Sequence, residues 1–228
     1  MSDQAGGRRL DFHFDLVSPY AHLVLARLVE LPDDVHIRPI ATLLGGLLAH
    51  HGQVGPAEIP AKRLHTYRHA VFLGDALGRP ARFPPRHPFK SLAAMRLLAG
   101  ANGGDGVSIE IVRTAFDFVF SEGRAIDTNE GLLELADKLG LDHALALADA
   151  SKAALRSNTD AAITAGVFGV PSFVPVSSEG ETGPVFFGVD AFDMLLGYLA
   201  EPTLFDRQEF AALNCVSVGI RREKAEAR

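Results

Sequence analysis

Strand signals in this chain are confined to its two ends, and the long stretch between them reads as helix. That arrangement restricts the fold strongly, because strands far apart in sequence must meet in one sheet and bury a face against the helices between them. Near the N-terminus, Leu10, Phe12, Phe14 and Leu16 alternate with polar or charged residues. A period of two predicts a strand with one buried face. The alternation stops at Ser18-Pro19, after which Leu23, Leu25, Ala26, Leu28 and Val29 follow helical spacing as far as Pro32. Serine before proline suits a helix start, since the hydroxyl accepts a free backbone N–H and proline has none to leave unpaired. A second strand is predicted over residues 35–40, completing a right-handed βαβ unit with a parallel pair.

From Ala41 to about Leu155, Leu- and Ala-rich segments with helical spacing dominate, at 59–77, 91–99, 109–122, 128–140 and 143–155. Thr128 at the start and Gly140 at the stop mark one of these helices clearly. Strand signals return at 170–176 and 184–187, which read as a hairpin around the polar turn 177–183. A last helix is expected from Asp190 to Leu199, with Asp190 at its N-cap. The order β-α-β, helical block, α-β-β-α is that of an α/β thioredoxin-like fold with an inserted all-helical domain. The expected organisation is a discontinuous thioredoxin-like domain (8–42 and 156–204), an inserted helical domain (43–155), and tails at 1–7 and 205–228.

Composition removes several functions. The formal charge, 22 − 28 = −6, and a pI near 5.8 leave no electrostatic footprint for nucleic acid. The single cysteine, Cys215, cannot form an intramolecular disulfide, a Cys-x-x-Cys redox pair or a multi-thiolate zinc site. No stretch approaches the ~20 apolar residues of a membrane span, and Met1 to Gly7 leads into Arg8, Arg9 and Asp11 rather than an apolar signal region. The expectation is a cytoplasmic protein with no nucleic-acid or membrane partner. His50-His51 and the His65/His69 pair lack a third ligand at suitable spacing, so no metal site is expected. Gly103-Gly104-Asp105-Gly106 lacks the Lys-Ser/Thr of a phosphate loop and reads as a connection.

In a thioredoxin-like fold the redox cysteines sit where the first strand feeds the first helix, and here those positions hold Ser18 and Ala21. The redox pair is gone. A serine at the helix start can still donate a hydrogen bond to a thiolate brought by a ligand and favour its ionised form. The second landmark is Gly166-Val167-Phe168-Gly169-Val170-Pro171. A proline opening a strand cannot donate to the ladder, so it suits an edge that faces a ligand, with a cis bond before it. The backbone N–H and C=O of Val170 are then expected to pair with a cysteinyl peptide as an added strand.

In these motifs the chain resembles the 2-hydroxychromene-2-carboxylate isomerases, bacterial relatives of kappa-class glutathione transferases in the DsbA-like branch of the thioredoxin superfamily. The resemblance is carried by Ser18-Pro19-Tyr20, by Asn158-Thr159 through Gly166-Val167-Phe168-Gly169-Val170-Pro171, and by Phe187-Gly188-x-Asp190. Leu43-Leu44-Gly45-Gly46, Pro60-Ala61-Lys62-Arg63 and Phe83-Pro84-Pro85-x-x-Pro88-Phe89-x-Ser91-Leu92 agree in order and spacing. It implies a glutathione-dependent isomerase of aromatic catabolism, working as a homodimer on a small aromatic carboxylate. Ser18 would contact the glutathione sulfur, Val170 and Pro171 the cysteinyl backbone, and Asp190 the γ-glutamyl ammonium. Gln53 and Lys62 would complete the glutathione contacts, and Lys90 and Tyr20 would meet the substrate. The chain departs from the family's pattern at Ala191, where arginine is common, at Gln53 and Lys90, where asparagine is common, and at Phe187, where tryptophan is common. Two other readings use the same residues: a kappa-like glutathione transferase or peroxidase, and a non-catalytic thioredoxin-like module that holds peptides at Val170-Pro171.

Overall fold

The computed structural model describes residues 7–104 and 106–220. Most of the expected N-terminal tail, the end of the C-terminal tail and Asp105 of the glycine-rich connection lie outside the described residues. In chain order the elements are β1 (Arg8–Phe14), α1 (Pro19–Val24), β2 (Val35–Ala41), α2 (Leu44–His51), α3 (Pro60–Ala76), α4 (Leu92–Gly100), α5 (Ile109–Phe116), α6 (Asn129–Leu139), α7 (Asp149–Thr164), β3 (Ser172–Val176), β4 (Phe186–Phe187), α8 (Phe192–Ala200) and α9 (Gln208–Ala211). The chain divides into two compact units after Phe192. In the second unit, short 3₁₀ turns flank α9, Tyr198 stacks on Phe205 at 5.5 Å, and Cys215 is exposed.

In the first unit the strands form one sheet of order β2-β1-β3-β4. β1 runs parallel to β2 and antiparallel to β3, and β3 turns back antiparallel onto β4. β1 therefore has a neighbour on each side. Its even residues build the core: Phe12 stacks on Phe173 at 4.9 Å, the two being direct partners in register, and Phe14 meets Phe116 edge-on at 5.9 Å. Each such buried aromatic ring contributes roughly 1.5–3 kcal/mol of burial.

The expectation of one buried face for this strand is corrected. Asp11 and His13, on the other face, are only 5% and 4% exposed. A central strand is covered on both faces once helices pack on its sheet, and polar residues survive there only when they are paired. Arg38 grips the Asp11 carboxylate through two bonds of 2.9 and 2.7 Å, and Arg9 approaches it at 3.2 Å. His13 Nδ1 lies 3.0 Å from Thr42 Oγ1.

Two helix expectations also shift. The segment expected as one helix over 143–155 breaks into a 3₁₀ turn, His143–Ala146, and α7, which runs on to Thr164. Asp142 caps the short turn by accepting the Ala144 N–H at 2.9 Å, and Ala148 is extended. The last helix begins at Phe192 rather than Asp190, because Gly188, at φ 91°, turns the chain sharply after β4 and leaves Val189 to Ala191 in a bend. Elsewhere the caps match expectation: Thr128 accepts the Gly131 N–H at 3.1 Å, and Gly140 ends α6 in the left-handed conformation.

α1 carries a second buried histidine. His22 is fully buried, 5.6 Å from the Phe120 ring. Its Nε2–H donates to the Pro80 carbonyl at 3.3 Å, leaving Nδ1 buried without a partner. Burial pushes its pKa down to about 4, helped by the Arg79 charge, and burial likewise holds His13 at about 4. Both rings stay neutral in the folded chain and bind protons when unfolded, so stability is complete above about pH 6.5 and is lost as pH falls toward 4. The loss reaches roughly 3 kcal/mol per histidine at the low end. Buried Asp15, whose pKa is raised by burial, acts in the opposite sense and offsets part of it. Urea midpoints are expected to fall steeply between about pH 7 and pH 4.5, and His22→Leu is expected to flatten that fall; equal slopes in the two proteins would disprove the role of His22.

Candidate functional site

The chain leaves β1 through Asp15, Val17 and Ser18, and two buried groups, Asp15 and Ser91, together with the half-buried His87 hold this short passage. Asp15, beyond the reach of solvent, accepts the Val17 N–H at 3.0 Å and the Leu44 N–H at 2.9 Å, and Ser91 adds a side-chain hydrogen bond. Burial raises its pKa while these donors oppose the rise. His87 reaches in from the proline-rich segment. Its Nε2 is 2.8 Å from the Val17 carbonyl, which can only accept, so the proton sits on Nε2. Its Nδ1 and its carbonyl oxygen lie 3.0 and 2.6 Å from Tyr67 Oη, and both accept from that one hydroxyl hydrogen. Burial lowers the His87 pKa.

Ser18 is extended and precedes α1, where its Oγ accepts the Ala21 N–H at 3.3 Å. Its hydroxyl hydrogen is also in use. It donates to the Val170 carbonyl at 3.1 Å, joining the start of α1 to the loop before β3. The Val170–Pro171 bond is cis, as expected, and so is His87–Pro88. The Gly188 N–H donates to the Pro171 carbonyl at 2.9 Å and supports the loop from behind. Gly169 passes close against Phe187: a Cβ there would lie 2.6 Å from its ring. Among the described residues the Val170 N–H has no backbone partner.

These elements surround a cleft of about 1230 Å³. It takes in Ser18, Tyr20, Gln53, Lys90, Val170, Pro171 and Asp190, and its walls are largely apolar, with Leu48, Val54, Phe89, Phe168 and Phe187 among them. Of the residues proposed from sequence, Lys62 is the one left out. It is exposed in the first turn of α3, one turn before Thr66, where that helix begins to line the cleft. Asp190 is exposed, and no ion pair engages it among the described residues. Tyr20 Oη lies 2.9 Å from His69 Nδ1, and burial followed by the charge of Asp190 raises the tyrosine's pKa. Arg27 also lines the cleft, paired with Glu30 and stacked 4.7 Å over the Phe192 ring.

Sequence reading missed Asp15, His87, Tyr67 and His69. Asp15 reads as one more polar position in an alternating strand, and His87 falls on an unspecified position of the Phe83 to Leu92 motif. The signal available was a carboxylate three residues before Ser18, where a strand ends and solvent should be within reach. Of the other histidines, His51 donates to the Val167 carbonyl at 3.2 Å, and His65 stacks on His69 at 6.0 Å.

The arrangement offers a ligand three kinds of polar group. A buried hydroxyl, an unused main-chain N–H beside a cis proline, and a free carboxylate share one apolar cleft that contains no cysteine. Comparison with known proteins gives a consistent picture. Residues 9–200 match the family described as the DSBA-like thioredoxin domain. The chain is 30% identical over 176 residues to a 2-hydroxychromene-2-carboxylate isomerase of Pseudomonas putida, covering 72% of this chain and 83% of that protein. It is 26% identical over 207 residues to glutathione S-transferase kappa 2 of Caenorhabditis elegans, covering 84% and 91%. Among solved structures, a 2-hydroxychromene-2-carboxylate isomerase superposes with a TM-score of 0.69 at 24% identity, covering 91% of this chain and 98% of that one.

Ser18→Ala removes both the cap of α1 and the partner of a buried carbonyl. The expected cost is about 1–3 kcal/mol of stability, read from urea unfolding. Ser18→Thr, which keeps the hydroxyl, should recover most of it; equal losses in the two variants would show that the hydroxyl is not what matters.

Proposed function

Since the chain belongs to the DsbA-like thioredoxin family, with 2-hydroxychromene-2-carboxylate isomerases and kappa-class glutathione transferases among its relatives, we propose that it is a glutathione-dependent isomerase. Its substrate is 2-hydroxychromene-2-carboxylate or a similar intermediate of aromatic breakdown. The observation that carries this reading is the convergence of Ser18 Oγ, the unused Val170 N–H and the unpaired Asp190 carboxylate on one apolar cleft.

The residues present fit glutathione. Gly169 lets the loop pass close against Phe187, and the Val170 N–H has no backbone partner, so Val170 offers N–H and C=O to a cysteinyl backbone in the manner of an added strand. Asp190 suits the γ-glutamyl ammonium, and Arg27 brings a guanidinium to the same cleft, although Ala191 removes a cation that relatives commonly have. Gln53 adds an amide at the wall. Held there by Val170, Asp190 and Ser18, glutathione would supply a thiolate nucleophile suited to reversible addition to a conjugated double bond. Ser18 favours the ionised sulfur by turning its hydroxyl hydrogen toward it. His87 and Asp15 hold Val17 and so keep Ser18 in register with Val170. Lys90, exposed at the cleft wall, balances the substrate carboxylate, while the aromatic and aliphatic walls exclude water from the reacting carbons.

Glutathione titrated against the wild type is expected to give saturable thiolate absorbance at millimolar concentration or below. Ser18→Ala should raise the bound thiol's pKa by about one unit, about 1.4 kcal/mol. Asp190→Asn should weaken binding about tenfold. Absence of binding by the wild type would refute the proposal. Incubation with 2-hydroxychromene-2-carboxylate then separates the two enzyme readings: an isomerase returns all of the free thiol, and a kappa-like transferase consumes it.

A further inference from the structure

Thr66, His69 and Leu73 of α3 line the cleft, with Leu77 at the end of that helix. Intervals of three and four residues place them along a single side of the helix. His69 is the member of that stripe able to take up a proton. It is exposed, and its Nδ1 lies 2.9 Å from the hydroxyl of Tyr20, which stands in the first turn of α1 two residues after Ser18 and lines the same cleft.

The other proton acceptors of the cleft are occupied. Asp15 takes the Val17 and Leu44 N–H groups, Glu58 takes the Gly55 N–H at 2.8 Å, and both nitrogens of His87 are engaged by Val17 and Tyr67. Asp190 belongs to the ammonium of glutathione in the reading above. Among the described residues that leaves Tyr20 with His69, and their hydrogen bond can run either way. With the phenol donating, His69 Nδ1 is an acceptor; with Nδ1–H donating, the phenol hydrogen is released to the cleft. Burial, followed by the charge of Asp190, keeps the phenol protonated, so it has a hydrogen to pass on.

Such a pair suits a reaction in which one oxygen loses a proton and a neighbouring oxygen gains one. 2-Hydroxychromene-2-carboxylate is a cyclic hemiketal whose C2 bears the ring oxygen, a hydroxyl and the carboxylate. The double bond to be isomerised lies inside that ring, so the ring has to open before the bond can turn.

We propose that Tyr20 and His69 are the acid–base pair that opens this ring, an inference that rests on the reading of the cleft as an isomerase site. Tyr20 Oη takes the proton of the C2 hydroxyl while its own hydrogen passes to His69 Nδ1. C2 becomes a ketone, the bond from C2 to the ring oxygen breaks, and its electron pair stays on that oxygen. The proton on Nδ1 then returns to Tyr20 Oη as the tyrosine hydrogen passes to the phenolate. No proton is gained or lost overall, and the new ketone is conjugated with the double bond. Tyr20 is thus a catalytic residue, and His69, acting through it, is a positioning residue that also holds the proton in transit.

The test is stopped-flow absorbance of ring opening by the full chain without glutathione, where no thiol takes part. The wild type should open the ring faster than buffer does. Tyr20→Phe and His69→Ala, at half-buried and exposed positions, should each lose about 100-fold of that rate, with substrate affinity and urea midpoint close to those of the wild type. Imidazole in solution should restore His69→Ala but not Tyr20→Phe, a rescue that a purely structural histidine does not show. The double variant should be no slower than Tyr20→Phe alone. The inference fails if the wild type opens the ring no faster than buffer, if His69→Ala keeps the wild-type rate, if imidazole leaves that variant unrepaired, or if the two losses multiply in the double variant. Ring opening by a chain that gives no thiolate absorbance with glutathione would overturn the glutathione reading alone and uphold the role of Tyr20 and His69.

Discussion

The carboxylate of Asp15 is the group around which this end of the molecule is built. It sits where a strand stops, out of reach of water, and it draws three separate elements to itself: Val17 on the way to α1, Leu44 at the start of α2, and Ser91 just before α4. Burying an acid without a cation is costly unless donors surround it. Two of the donors are main-chain groups whose positions are set by the fold and the third is the Ser91 hydroxyl, so satisfying the acid and placing the helices are one event. Ser18 lies three residues further on and inherits that placement.

From Ser18 the structure crosses to Val170, a contact between residues 152 positions apart. Beyond the β1–β3 ladder, the turn after β1 is thus tied to the loop before β3 by a hydrogen bond beside a cis proline, with His87 bracing the Val17 carbonyl from the helical block. The site is composite: strand end, helix start, proline-rich segment and hairpin loop each supply a part. An apolar cleft assembled in this way suits the glutathione chemistry proposed for it, because its polar groups are few and each has a defined direction.

Local periodicity carried a good deal of this. The period-two run ending at Leu16, the serine-proline start of α1, the second strand and the β3–β4 hairpin were legible because each is written in neighbouring residues. The boundary of α7 was not, since Asp142 begins a competing short turn and the helix is prolonged by the burial of Leu155, Thr159 and Ala162. The second face of β1 was hidden for the same kind of reason: Asp11 reads as a solvent-facing residue until Arg38, 27 positions away, is brought alongside it. Ser18, Val170 and Asp190 could be picked out because motif and resemblance coincide there. Asp15 and His87 could not, because Leu44, which Asp15 ties to the strand end, and Val17, which His87 braces, lie 29 and 70 residues distant from them.

The bond between Ser18 and the Val170 carbonyl bears on which thiols such a site accepts. Any ligand that draws the serine hydrogen toward its sulfur strands a buried carbonyl, a loss of about 1–3 kcal/mol. A peptide can return a main-chain N–H to that carbonyl as it arrives, whereas a simple alkyl thiol has nothing to give back. Discrimination between the two is then set by the backbone of the guest and by the order in which two hydrogen bonds change hands, with the sulfur itself common to both.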